Sequence, residues 1–120
     1  MFHLISFISV EDSGNNYNNF FSFNTFAGTG NEINVVSPQN LQYGQWYQIA
    51  VTYDGNTIKF YFNGKFIQTK TVTSPIVHTP NFNFYIGSDG GVGTFRGKID
   101  EVYFYNRSLT ADEILQFKKY

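Results

Sequence analysis

A chain of 120 residues is the size of one domain and can bury around two thirds of the surface that its unfolded form exposes. Aromatic residues (20%) outnumber charged ones (14%), and 14 Phe and 9 Tyr among Asn- and Gly-rich stretches point to an all-β domain with many tight turns. A net charge of −1 argues against nucleic acid, and the absence of cysteine excludes disulfides and thiolate-bound zinc.

Phe2–Val10 (FHLISFISV) reads as a first strand rather than a signal peptide. It lacks a basic leader and a small-residue cleavage site, and acid follows at Glu11-Asp12. No run is long enough to span a bilayer. Asp12–Asn19 is a polar loop with Tyr17 as its large side chain. Phe20–Phe26 makes a second strand, Ala27–Asn31 a turn, and Ile33–Val36 a short third strand. Ser37-Pro38 ends that strand, because proline cannot donate to a ladder.

Trp46–Lys70 is the most legible stretch. Tyr47, Ile49, Val51 and Tyr53 alternate with Gln48, Ala50 and Thr52, the period of a strand with one buried face. Asp54-Gly55-Asn56 turns the chain, and Ile58, Phe60 and Phe62 alternate with Lys59 and Tyr61 in the next strand. Asn63-Gly64 then predicts a two-residue type I′ hairpin. Its register sets Phe62 opposite Lys65, Tyr61 opposite Phe66 and Phe60 opposite Ile67. Ile58, Phe60, Phe62 and Ile67 become a core stripe, and Lys59, Tyr61, Phe66, Gln68 and Lys70 a mixed face open to function.

Beyond Lys70 the strand fades into loops marked by Ser74-Pro75 and Thr79-Pro80. Phe82–Gly87 is strand again, Ser88–Thr94 (SDGGVGT) a glycine-rich loop, and Phe95–Asn106 the last strand, with Gly97 its expected bulge or close-approach point. One short helix closes the chain. Thr110 and Glu113 spell a capping box, Leu109 and Ile114 a hydrophobic staple, and Asp112 with Glu113 suits the positive helix end. Lys118 and Lys119 suit the other end, and Ile114, Leu115 and Phe117 are the side chains expected to dock it.

WYQIAVTYDG, IKFYFNGK, FYIG and FRGKIDEVYFYNRSLTADEI, in that order, resemble a laminin G-like jelly roll of the concanavalin A-like lectin superfamily. The likeness runs from Trp46 to the C-terminus, and earlier strands match by pattern. It implies a two-sheet antiparallel jelly-roll sandwich with one short C-terminal helix, a single domain over residues 1–120. It implies a non-catalytic recognition or adhesion module that meets a glycan or a protein surface, outside the cell or on a particle. Two further classes stay open: a structural assembly domain, and a remnant or accessory module of a carbohydrate-active enzyme. Domains of this kind usually begin with two more strands. Their absence before Phe2 would leave an open sheet edge, inviting self-association or a companion domain.

Candidate chemistry follows from these placements. Asp100-Glu101 are adjacent on a strand and point to opposite faces, so they do not make the paired carboxylates of a glycosidase. His3 and His78 sit in an N-terminal strand and a proline-flanked loop, and no nucleophilic triad is suggested. No cofactor is required. Calcium, which related lectin-like domains hold at the sandwich rim, would draw on Asp89, with Asp54 and Asp12 behind it. Ordinary Asp-Gly turn chemistry explains the same residues. A sugar ring would rest on Tyr61 and Phe66, with Gln48 and Gln68 beside them, or on Tyr17 in its Asn-rich loop. Asn106-Arg107-Ser108 forms a glycosylation sequon, which has meaning on a secreted protein.

Overall fold

Asn63 (φ 51°) and Gly64 (φ 78°) both occupy the left-handed region, the pair of conformations that a type I′ turn requires. Asn63 also ties the corner down. Its Oδ1 accepts the Gln48 N–H at 2.9 Å, and its own N–H donates to the Gln48 carbonyl at 2.9 Å.

The computed structural model describes residues 2–10, 22–26, 32–36, 41–72, 86–88 and 95–117, with side chains from 41 onward. The described elements are β1 (Phe2–Val10), β2 (Ser22–Phe26), β3 (Glu32–Val36), β4 (Trp46–Tyr53), β5 (Thr57–Phe62), β6 (Lys65–Thr71), β7 (Gly97–Tyr105) and α1 (Ala111–Gln116). One antiparallel sheet runs β6-β5-β4-β1-β7, and β2-β3 form a second. β3 lies near β5 and β6. β1 joins the middle of the chain to its end, pairing Ile5 with Ala50 on one side and Tyr103 on the other. Of the expected Phe82–Gly87 strand, only Ile86 and Gly87 are among the described residues. Gly87 accepts the Phe95 N–H at 2.8 Å.

The large sheet carries two cores. On one face Val51, Ile58, Phe60 and Val72 are buried together, with Ile49, Tyr53 and Phe62 packed around them. Tyr47 stacks on Phe62 there at 5.2 Å. On the other face Ala50 and Tyr61 meet Leu109 and Ile114, ringed by Trp46, Tyr103, Tyr105 and Phe117. This corrects the expectation of one buried face for β4. Gln48, Ala50 and Thr52, which alternate as a solvent face would, are all buried. Over Gln48 and Ala50 the cover comes from the far end of the chain, so no local period in β4 announces it.

A second correction concerns register. Tyr61 does face Phe66, but the ladder then shifts and Phe60 faces Gln68. Ile67 is the extra residue of a β-bulge and is 38% exposed rather than part of the core stripe. The shift carries Gln68 and Lys70 onto the face of Phe60 and Ile58, and leaves Thr69, opposite Lys59, on the face of Tyr61. In β7 the ladder is regular at Gly97. Its irregularity falls opposite Ile5 to Phe7, where Glu101 has φ 51° and the Asp100 Oδ1 accepts the Glu101 N–H at 2.9 Å.

The helix start follows its sequence signature. Thr110 Oγ1 accepts the Glu113 N–H at 3.2 Å, and Glu113 Oε2 accepts the Thr110 N–H at 2.8 Å. Arg107 adds a two-pronged contact, with Nη2 donating to Oε1 at 2.8 Å and Nη1 to Oε2 at 3.1 Å. Ile114 is buried and Phe117 packs on Tyr103 and Tyr105, as expected of docking residues. Leu115 does not dock, and stays 52% exposed. Lys118 and Lys119 lie outside the described residues.

The Arg107 guanidinium, then the Thr110 N–H, hold the Glu113 carboxyl at a pKa of about 2. A carboxyl depressed in the folded state contributes stability above its ordinary value, and that contribution is lost as pH falls toward the folded value. The helix start should therefore loosen between about pH 4.5 and pH 2. A carboxyl titration by NMR should put the Glu113 midpoint near the lower end, and Arg107→Ala should raise it.

Candidate recognition surface

The residues expected to bind a ligand do not come together as one site. Tyr61 is 4% exposed and Gln48 1% exposed, both inside the core under Leu109 and Ile114. Burial pushes the Tyr61 phenol above its ordinary pKa. The Gln48 amide Nε2 donates to the Ile114 carbonyl at 3.3 Å, so it serves packing between β4 and α1. Gln68 is half-buried on the opposite face. Tyr17 lies outside the described residues.

Phe66 is what remains on the surface. It is 53% exposed and stands edge-on to Tyr61, with ring centroids 5.8 Å apart and planes at 71°. A half-exposed ring braced by a buried one is held in place without losing its outer surface. Two residues further along the same face, exposed Lys59 lies opposite exposed Thr69. The bulge thus exchanges Gln68 for Thr69 as the polar neighbour of this ring. Nothing in the spelling KFIQTK marks where the extra residue falls, so Thr69 was not to be found from sequence.

Asp54 is committed to its own turn. Oδ1 accepts the N–H groups of Asn56 (2.8 Å) and Thr57 (2.7 Å), and Oδ2 accepts the Thr57 hydroxyl at 3.0 Å. These bonds, that of the Thr57 N–H foremost, hold its carboxyl below the ordinary aspartate value. This is Asx-turn chemistry of the kind that bends chains without an ion. Asp12 and Asp89 lie outside the described residues. Among the described residues, no three of His, Asp and Glu gather as a metal-ligand group. Asp100 Oδ1 accepts the Glu101 N–H beside it, and Glu113 caps α1. No described helix is long and apolar enough to cross a membrane.

Solved structures share this fold at low identity. A candidate carbohydrate-binding protein from Bacteroides ovatus superposes with a TM-score of 0.71 at 21% identity, over 98% of this chain and 40% of that one. Domain 4 of AbnA, a GH43 extracellular arabinanase from Geobacillus stearothermophilus solved with arabinotriose, gives 0.61 at 20% identity, over 98% and 66%. The binding domain of botulinum neurotoxin DC, solved with rat synaptotagmin II, gives 0.63 at 18% identity, over 96% and 34%. The chain thus spans less than two thirds of each of these structures. No curated protein matches it at a significant level.

Likeness at this identity speaks for the architecture alone, strands with one short helix. A family model adds sequence to it. The Laminin_G_3 model matches residues 6–115, from within β1 to α1, and the chain therefore belongs to that family of the concanavalin A-like lectin/glucanases superfamily.

Proposed function

We propose that this chain is a non-catalytic recognition module that binds glycan, working outside the cell. The observation that carries the reading is its membership in a lectin-like family, supported by a shared fold with an arabinanase domain solved with arabinotriose. Phe66 supplies the chemistry on this chain. Its exposed face can cover the apolar side of a pyranose or furanose ring while Lys59 and Thr69 meet hydroxyls. Three of the described carboxylates, Asp54, Asp100 and Glu113, hold local backbone donors, which supports a non-catalytic role for them.

A glycan array probed with and without calcium tests this reading. Binding to a defined glycan class is expected. Binding only with calcium would bring Asp89 and Asp12 into the site, and blanks under both conditions would overturn the glycan reading.

A protein surface is the second reading, favoured by exposed apolar side chains. Phe66 and Ile67 on β6, the outermost described strand of its sheet on that side, and Leu115 on α1 near it, are all at least one third exposed. This surface would support docking to a companion domain or a second copy. Light scattering across a concentration series separates the two, since self-association would raise the mass with concentration.

A further inference from the structure

The two layers on the large sheet are unequal. On the face of Val51, Ile58, Phe60 and Val72, the described buried side chains are apolar apart from the Tyr47 hydroxyl, which accepts the Gln42 N–H at 2.9 Å. Beneath the C-terminal cover, the floor is instead Gln48, Ala50 and Tyr61, two of them with polar groups and all buried. Gln48 shows the mismatch most plainly. Its Nε2 donates to the Ile114 carbonyl, yet its Oε1 is buried with no hydrogen-bond partner among the described residues. An unmet buried acceptor costs free energy that is recovered as soon as water reaches it.

The cover is braced within itself. The Thr110–Glu113 bonds connect residues of the same segment, so they do not tie it to the sheet, and Arg107 pairs with Glu113 from just before it. Leu109 and Ile114 insert together into one cluster, which couples its two ends. A helix of six residues is far too short to keep its backbone bonds once off the sheet, so its amides exchange when it lifts.

We infer that Leu109–Phe117 is a strap that lifts from β4 and β5 as one unit while the rest of the sheet stays folded. Lifting wets a floor whose amide and hydroxyl accept water, and closing restores the Leu109–Ile114–Tyr61 cluster. Such sub-global opening is how proteins uncover a surface without unfolding.

Native-state hydrogen exchange on the intact chain, at rising urea below the unfolding transition, tests this. The amides of Glu113, Ile114 and Phe117 should exchange together, with a shallow urea dependence, and faster than those of β4 and β5. Ile114→Val should speed strap exchange by about three- to tenfold and leave β4 and β5 unchanged. Gln48→Leu should slow it by about tenfold, because it removes the unmet acceptor while the Phe117 N–H still satisfies the Ile114 carbonyl. Two results would overturn the strap. One is exchange of these amides at the rate and urea slope of β4 and β5. The other is a gradient that leaves Glu113 protected while Phe117 exchanges, which is end fraying.

Discussion

Replacing Phe60 with alanine is expected to cost about 3–5 kcal/mol of stability, the range for emptying a large aromatic from a packed core. The ring is 1% exposed and shares its cluster with Val51, Ile58 and Val72. It sits mid-strand in β5, paired with Val51 on one side and Gln68 on the other, so neighbours on both strands constrain how far the site can collapse. Domains of this size hold about 5–15 kcal/mol in total, so the variant would keep little reserve. At an m-value of about 1–3 kcal/mol per M, the urea midpoint should fall by at least about 1 M with the slope unchanged. Phe62→Ala should cost less, because that ring is half-buried at the hairpin end, stacked on Tyr47. A midpoint shift of a few tenths of a molar for Phe60→Ala would mean that the ring is not enclosed.

Local signals carried the fold well. Asn63-Gly64 is legible because few residues tolerate two successive left-handed conformations, and its side chain also bonds the neighbouring strand. The capping box at Thr110 and Glu113 is legible for a similar reason, since three residues of spacing decide the geometry. Family resemblance drawn from those motifs proved sound over residues 6–115. The candidate site was less legible. Whether Gln48 and Tyr61 face water depends on whether Leu109 and Ile114 return to cover them, a contact across more than forty residues that no periodicity encodes. A bulge at Ile67 moved Gln68 across the sheet, and a single inserted residue inverts every side chain after it. Leu115 is apolar and so suggests a docking residue, but on so short a helix Ile114 alone is buried.

The pair Tyr61 and Phe66 separates stability from recognition most sharply, since the two rings touch but only one of them is buried. Tyr61→Ala removes a buried aromatic from against Ala50, Leu109 and Ile114, and should cost about 3–5 kcal/mol. Phe66→Ala trims a ring that is more than half in solvent, and should change stability by about 0.5 kcal/mol or somewhat more. On the proposed function, the order reverses for binding. Loss of a central aromatic contact typically costs about 2 kcal/mol of affinity, roughly a thirtyfold rise in Kd. Glycan titration of Phe66→Ala should therefore show that loss with a nearly unchanged melting curve, whereas Tyr61→Phe should keep both fold and binding. Equal destabilisation by Tyr61→Ala and Phe66→Ala would make Phe66 a core residue. A stable Phe66→Ala with unaltered glycan affinity would move the binding surface off β6.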